Sequence, residues 1–296
     1  MINNIIITLC EGPHDVAFIF RILKTKGFTS YSQQINQFPY PINDYLANEI
    51  CITNIQDLKL EEVNKRLLPN EVLTLGTTLV LLYAIGGDSK VDARRNLLKS
   101  ILELTPSKGD TKSFSIGSAI NYSFLFLYDS DNKGIQNRLE YISTELSEIL
   151  ENPDAILFNQ NGSVCEYGNT KFGAYIFANH PKDTGKLEDI LIPLLKKDNE
   201  EIFTHAEDFI TTKYEPNRIQ RLKIKKDPFG MIIEHRDTKK GSYDKDKSII
   251  GVVGQLQNSG ATNTVCIKHS DYITLDKINT NHLCSQIHNV FKALMP

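Results

Sequence analysis

Short apolar runs alternate with amphipathic stretches along the first two thirds of the chain. Four runs rich in branched and aromatic side chains predict buried β-strands: 5–9, 79–85, 174–177 and a part of 113–128. Four stretches with helical spacing of apolar residues predict helices after them, over about 13–26, 91–104, 135–150 and 187–195. This alternation predicts an α/β fold, a parallel sheet of about four strands with helices on both faces.

Two segments depart from this alternation. Residues 28–72 show no strong periodicity before a helix-like stretch at 58–68, so we interpret them as an insertion after the first helix. The pattern therefore predicts a domain of residues 1–195 that carries the insertion, and a C-terminal α+β extension of residues 196–296 packed on it. Within the extension, we expect helices at 200–211, 245–256 and 281–294 and a strand at 264–268.

Composition narrows the class of protein. With 296 residues, of which 41% are hydrophobic and 23% charged, the chain can bury a sizeable core. No apolar stretch is long enough to cross a bilayer, and the N-terminus lacks the basic region of a signal peptide. Five cysteines without a C-x-x-C spacing argue against a zinc ribbon or a disulfide framework. We therefore expect a cytoplasmic protein without a membrane partner.

Acidic residues follow three of the four predicted strands. Glu11 and Asp15 come after the first strand, Asp129 and Asp131 after the third, and Glu188 lies beyond the fourth. Because the carboxyl ends of parallel strands form one edge of a sheet, we expect these carboxylates to converge. Two unit charges about 4 Å apart repel by roughly 4 kcal/mol at an effective dielectric near 20. Protons or a hard cation would relieve that repulsion, and the sequence predicts a site for Mg²⁺ or Mn²⁺.

Each acidic cluster also has a local explanation. Acidic residues stabilise the first turn of a helix, which would account for Asp15 and Glu188. The segment after Asp129 is rich in turn-forming residues. The stretch that ends at Glu140 even has the length of a calcium loop, but Lys133 is a poor ligand and a strand comes before it. The joint order and spacing of the three clusters favour a common site.

That order resembles the TOPRIM domain, the metal-binding core of topoisomerases, bacterial primases and several nucleases. The family is recognised by a Glu-Gly after its first strand, as at Glu11-Gly12, and by an Asp-x-Asp after a later strand, as at Asp129 and Asp131. The resemblance covers about residues 1–195 and is interrupted by the insertion.

The nearer resemblance is to TOPRIM nucleases of the OLD family (overcoming lysogenization defect) and to small uncharacterised TOPRIM proteins. In the OLD pattern an acid follows the first Glu by four residues, as Asp15 follows Glu11. A later Ser or Thr is followed by Glu at the same distance, as Thr184 is by Glu188. The resemblance implies a nuclease in which carboxylates hold one or two cations and a downstream basic residue assists the transition state. Lys247 lies in a comparable stretch, with two alternatives, Lys245 and Lys268.

The roles follow from this resemblance. One cation would be held by Glu11, Asp129 and Asp131, and a second by Asp15 and Glu188, with Thr184 beside it. Two cations roughly 4 Å apart can activate water and stabilise the leaving oxygen of a phosphodiester. The expected catalytic residues are the three ligands of the first cation, Glu11, Asp129 and Asp131, together with Lys247.

Basic residues cluster in the C-terminal extension. The net charge of −3 argues against coating of nucleic acid by bulk electrostatics, so phosphate contacts must come from local strips. One strip gives the predicted nucleic-acid-binding residues: Arg218, Arg221, Lys223, Lys225 and Lys226. Such runs are also common on solvated surfaces.

A rival function remains open. The chain has no G-x-x-x-x-G-K-[ST] motif, so any ATP hydrolysis would come from a separate chain. OLD-type domains work with a fused or separate ATPase, which makes a non-catalytic binding or regulatory subunit of an ATPase complex the alternative. By the same resemblance, phage defence is the expected setting. Primase or topoisomerase activity is disfavoured, because the chain lacks a zinc ribbon and room for further modules. DNA or RNA as substrate and oligomer formation stay open.

Overall fold

The protein is built on a seven-stranded sheet, seen in a computed structural model that describes residues 1–50, 67–85, 87, 90–105, 120–152, 156–179, 181–216, 222–236 and 243–296. The strands follow one another across the sheet in the order β2-β3-β4-β1-β5-β7-β6. Their bounds are β1 Asn4–Cys10, β2 Thr29–Ser30, β3 Glu71–Leu75, β4 Thr78–Ala84, β5 Asn121–Asp129, β6 Val164–Tyr167 and β7 Thr170–Phe177. The four central strands β4, β1, β5 and β7 are parallel, and the outer strands are antiparallel to their neighbours.

Helices cover both faces of this sheet. The described helices are α1 Pro13–Thr25, α2 Ile42–Ile50, α3 Val91–Leu102, α4 Ile135–Ile149, α5 Glu188–Lys196, α6 Glu200–Lys213, α7 Lys245–Gln257, α8 Asn263–His269, α9 Leu275–Thr280 and α10 His282–Leu294. Side chains of β1 alternate between two cores, as a strand period of two requires. Ile6 belongs to the core that also contains residues of α1 and of α5 to α10, whereas Ile5 and Ile7 belong to the core that contains residues of α2, α3 and α4. The predicted α/β architecture with a mostly parallel sheet is confirmed.

Strand register brings the acidic segments to one edge. Cys10, the last residue of β1, pairs with Ala84 of β4 and with Leu127 of β5. Asp129 at the end of β5 pairs with Phe177 at the end of β7. The segments that follow β1, β5 and β7 therefore leave the sheet at the same end.

Three outer strands extend the sheet beyond the four predicted strands. The insertion 28–72 contributes β2 and the first two residues of β3; β2 pairs with β3, and β3 pairs antiparallel with β4. On the other side, β6 forms a hairpin with β7. These strands are short and partly exposed, so they lack the continuous apolar run that marks a buried strand. Residues 58–66 of the predicted helix in the insertion lie outside the described residues.

The predicted strand at 264–268 is wrong, because this segment is helix α8. Its branched residues suggested a strand, but the Thr262 hydroxyl accepts a hydrogen bond from the N–H of Val265 and caps a helix. Cys266 and Ile267 are buried in the same core as α1. Capping and tertiary burial override the weak intrinsic strand preference of a short segment.

The C-terminal residues share a core with the sheet. Helices α8, α9 and α10 contact α1, and α10 also packs on β5 and β7. The division at residue 195 stays a prediction. A separate two-stranded hairpin, β8 Leu222–Lys226 and β9 Ile232–Arg236, lies between α6 and α7 in the chain. Among the described helices, none has the length and apolar character needed to span a membrane.

Candidate metal centre

The first acidic pair lies where β1 gives way to α1. Pro13 is the first residue of α1, a position that suits its fixed φ and missing N–H. Asp15 bends back, and its Oδ2 accepts a hydrogen bond of 2.6 Å from the N–H of Gly12. This bond buries the carboxyl of Asp15, whereas Glu11 stays half-buried. The turn thus presents both acids one helical turn apart.

Asp129 links the first pair to the third acidic segment. Its own N–H donates to Oε1 of Glu11 at 3.3 Å, across the two neighbouring strands. Its Oδ1 accepts a hydrogen bond of 2.8 Å from the N–H of Leu187, just before α5. Asp129 is therefore fixed between the ends of β1 and β5 and the start of α5.

The segment before α5 is held in place by backbone contacts. Asp131 and Gly185 exchange two backbone hydrogen bonds of 2.7 and 2.9 Å. The N–H of Lys186 donates to Oδ2 of Asp189 at 2.8 Å, which fixes the first turn of the helix. These bonds orient Glu188 towards the other acids.

Glu188, like Asp15, is buried. Its side chain is only 2% exposed, and Nδ1 of His14 donates to its Oε1 at 3.2 Å. Nζ of Lys247, from α7, lies 3.7 Å from the same oxygen. Two basic groups from separate helices thus flank one acid.

Asp131 stands apart from the other four acids. Its side chain is 53% exposed and pairs with the guanidinium of Arg138 in α4. The same guanidinium lies 3.8 Å from Oε1 of Glu11. Arg138 therefore connects Asp131 with the cluster, whereas Glu11, Asp15, Asp129 and Glu188 interact directly through their charges. We call these four residues the acidic cluster.

Two of the four acids, Asp15 and Asp129, have pKa values well above those of ordinary aspartates. Burial is the main cause that raises the pKa of Asp15 to about 7, and the charges of Glu11 and Glu188 add to it. Burial likewise raises the pKa of Asp129 to about 9, with further contributions from Asp15 and Glu11. The acidic cluster therefore retains protons at neutral pH when no cation is bound.

Glu188 responds in the opposite direction. Burial acts to raise its pKa, but the hydrogen bond from His14 and the positive charge of Lys247 outweigh burial and hold the pKa below its usual value. Lys186 also lies nearby, but its ammonium is engaged by Asp244 at 2.7 Å and Asp246 at 3.0 Å. Lys247 is the lysine whose Nζ lies beside Glu188, at 3.7 Å, with Oδ2 of Asp244 slightly farther away at 3.9 Å.

The donor chemistry of the acidic cluster fits a hard divalent cation. All its side-chain donors are carboxylate oxygens, which Mg²⁺ and Mn²⁺ prefer. Among the described residues, the positively charged side chains within 4 Å of the cluster carboxylates are those of Arg138 and Lys247, fewer than the four carboxylates. Space is kept open beside Glu11 by Gly87, since a Cβ at this position would lie 3.3 Å from Oε2 of Glu11. Across the described part of the chain, however, no three His, Cys, Asp or Glu side chains form a ready-made metal-binding group.

The remaining predicted residues fall in different places. Thr184 is half-buried and pairs through its backbone with Asn179, with its carbonyl accepting from the Asn179 N–H at 2.8 Å. Lys245 pairs with Glu207, and Lys268 pairs with Glu71, so both alternatives to Lys247 have partners elsewhere.

The predicted nucleic-acid strip is only partly visible. Lys223, Lys225 and Lys226 lie on β8, away from the acidic cluster in the chain. Arg218 and Arg221 lie outside the described residues.

Two residues of the site were not predicted from the sequence. His14 sits between Pro13 and Asp15 and shows no distinguishing local pattern. Arg138 carried a usable signal, because it interrupts the apolar stripe of α4 between Ile135 and Ile142, and a charged residue on such a stripe needs a partner.

Comparison with known proteins adds a family. A family model described as Protein of unknown function (DUF3226) matches residues 6–295, almost the whole chain. The chain belongs to this family. No curated protein and no solved structure gives a significant match to it. For this DUF3226 member, the family description names no activity, so the acidic cluster itself is the evidence on function.

Proposed function

We propose that this DUF3226 protein is a divalent-metal-dependent nuclease with a TOPRIM-like site. The observation that carries the proposal is the convergence of four carboxylates from the ends of β1 and β5 and from the start of α5. Sites of open parallel sheets lie at this edge. A phosphodiester-cleaving site needs a cation and a positive group for the phosphate, and Lys247 lies beside Glu188.

Within this site we assign distinct roles to the acids. Glu11, Asp129 and Glu188 would bind the cation, and Asp15 would complete the set or hold a second cation. A bound Mg²⁺ or Mn²⁺ would lower the pKa of a coordinated water and offset the charge of the phosphate. Asp131 would join as a ligand only by giving up its pair with Arg138.

Two basic residues would contact the phosphate or position an acidic ligand. The ammonium of Lys247 is half-exposed beside Glu188, so it can contact a phosphate oxygen without leaving its helix. His14 holds Glu188 in place through Nδ1, and its own side chain is 22% exposed. Both contacts restrict the rotamers of Glu188, which favours a defined ligand position.

A second candidate is a non-catalytic TOPRIM-like subunit that acts with a separate ATPase. The observation in its favour is that the described residues contain no assembled three-ligand group. For catalysis, side chains of the acidic cluster would have to rotate towards a common cation. The nuclease is favoured because Asp15 and Glu188 are buried beside two half-buried acids, and such a group of carboxylates is costly unless it binds something positive.

The test is cleavage of plasmid, single-stranded DNA and tRNA in Mg²⁺ or Mn²⁺ by wild type and by Asp129→Ala. We expect metal-dependent cleavage that falls at least about 100-fold in the variant, because loss of a transition-state charge partner typically costs this much. Glu148→Ala, an exposed acid on α4, is the matched control and should cut normally. Undiminished cleavage by Asp129→Ala would refute the site, and no cleavage by wild type would favour the ATPase-associated subunit.

A further inference from the structure

The hairpin β8–β9 stands out because it packs on little else. The two strands pair with each other from Leu222 and Arg236 to Lys226 and Ile232, and their only extensive contacts among the described elements are mutual. Most described side chains from 223 to 235 are exposed. An isolated two-stranded hairpin is marginal in water, so apolar residues on its surface call for a partner.

The tip of the hairpin is rigidly built. Oδ1 of Asp227 accepts hydrogen bonds from the N–H groups of Phe229 and Met231 at 2.9 and 2.8 Å. Gly230 supplies the positive φ of +80° that the turn needs. These bonds hold out Phe229, which is 89% exposed, and Met231, which is 66% exposed. The hairpin thus ends in a fixed apolar tip.

Lysines accompany this tip along the strands. Lys223 and Lys225 lie on one face of β8 and Lys226 on the other, because side chains alternate along a strand. Lys225 and Lys226 are exposed and have no ion pair with any described residue. The carboxylate of Asp227 at the tip is occupied by the turn.

The chain leaves for the hairpin and returns from it beside the acidic cluster. Tyr214 precedes the hairpin in the chain and Tyr243 follows it, and their rings stack with centroids 3.7 Å apart. The next residue, Asp244, binds Lys186 and caps α7, the helix that carries Lys247. The root of the hairpin is therefore attached to the element that lines the candidate metal centre.

We propose that the hairpin β8–β9 is an arm that grips double-stranded nucleic acid, with Phe229 and Met231 wedged between stacked base pairs. The lysines would lie against the phosphates. Apolar wedges on a basic ribbon suit this role, since they partly unstack bases while the cations bind the backbone. The exposed apolar surface includes Ile224 and Ile232 on the strands as well as the tip, but the lysines of β8 lie beside it, and lysine is depleted at protein interfaces, which disfavours a protein partner. The identity of the ligand rests on the proposed function.

The test uses Asp129→Asn as background, so that a duplex stays uncut, and a duplex of about 20 base pairs carrying 2-aminopurine. Insertion of the tip should raise 2-aminopurine fluorescence. Adding Phe229→Ser and Met231→Ser should abolish this rise and weaken duplex binding about tenfold, as expected for loss of base stacking. Adding Lys225→Ser and Lys226→Ser should reduce the slope of log K against log salt by about 2, because each phosphate contact contributes about 0.9.

Phe209→Ser is the matched control, because Phe209 is an exposed phenylalanine on α6 away from the arm, and it should leave both readouts unchanged. Normal fluorescence and affinity in the tip variant would overturn the arm. Equal binding of single strands without a fluorescence rise would overturn the duplex as ligand. If wild type cleaves nucleic acid but the tip substitutions change neither fluorescence nor affinity, only the arm is refuted. If the tip substitutions abolish the fluorescence rise but wild type does not cleave, only the nuclease is refuted.

Discussion

Asp129 is the residue at which the demands of folding and of function conflict most. Its half-buried carboxyl receives the N–H of Leu187, which favours the charged form, yet burial and the neighbouring charges of Asp15 and Glu11 outweigh that bond. The metal-free protein therefore keeps a proton on Asp129, and a bound cation would replace that proton. Binding sites often carry such destabilising groups at the expense of stability.

Replacement of Asp129 by Asn tests this conflict in the metal-free protein. Because the folded pKa of about 9 exceeds the ordinary value of 3.8, the folded state binds more protons than the unfolded state between these pH values. The free energy of unfolding of wild type should therefore fall as pH rises from about 4 to about 9. Asp129→Asn lacks this loss and should be more stable by about 0.5–2 kcal/mol near pH 8. Urea unfolding in EDTA at pH 5, 7 and 9 measures the difference.

Magnesium supplies the complementary readout for the same variant. Added Mg²⁺ should raise the melting temperature of wild type, since it binds only the folded state, and should leave Asp129→Asn unchanged. Asp131→Asn is the control, because its exposed side chain pairs with Arg138, and it should retain most of the shift. Identical pH profiles for wild type and Asp129→Asn would refute this account of the acidic cluster.

At the scale of elements, the turn between β7 and α5 decides how the third acidic segment meets the others. Gly185 adopts φ +135°, where a side chain is strained. A Cβ there would lie 2.5 Å from Oδ2 of Asp189 and 2.8 Å from the backbone nitrogen of Asn179. Only glycine allows this approach, and the approach places Leu187 against Asp129.

Gly185→Ala should therefore destabilise the protein by roughly 1–3 kcal/mol more than Gly168→Ala. Gly168 is the matched control because its φ is also positive, at +64°, but nothing lies within 4 Å of an added Cβ. Chemical denaturation of both variants gives the comparison, and Mg²⁺ titration should show weaker binding only for Gly185→Ala. Equal stability of the two variants would mean that the turn can relax without strain.

Elements differed in how readily the sequence predicted them. The strands β1, β4 and β5 and the helices α1 and α4 match closely, because burial on both faces or on one stripe leaves a clear period. The outer strands β2, β3 and β6 were missed, since exposed or half-exposed strands lack a continuous apolar run. Helix α8 was predicted as a strand because its local composition gave no sign of its burial against α1.

For the whole molecule, the C-terminal helices complete one face of the sheet. Val290 and Leu294 of α10 approach so closely that a Cβ at Gly173 on β7 would lie 3.1 Å from Val290. Arg21 of α1 donates to the carbonyls of Lys268 and Ser270, both beyond α7. These contacts tie the last hundred residues to α1 and to the sheet, through packing and through partly buried hydrogen bonds.

A chain cut after residue 196 should therefore fail to fold cooperatively, because α1 and the sheet would expose the apolar face that α7 to α10 cover. Thermal unfolding followed by circular dichroism should show one cooperative transition for the full chain and none for the fragment. As a control, replacement of 222–236 by a short Gly-Ser linker should preserve the transition, since the hairpin packs on little else. A cooperative transition in the fragment would instead support a division at residue 195.

The sequence by itself determined the order of the buried strands and amphipathic helices, and hence the edge of the sheet where Glu11 and Asp129 lie. These features follow from local hydrophobic period and from the geometry that parallel strands share. The sequence also predicted Glu188 at this edge. Only the tertiary structure decided that Asp131 turns to Arg138, and that Lys247 rather than Lys268 stands beside the acidic cluster. Such pairings depend on how separate helices pack and on side-chain rotamers, and no local pattern encodes them.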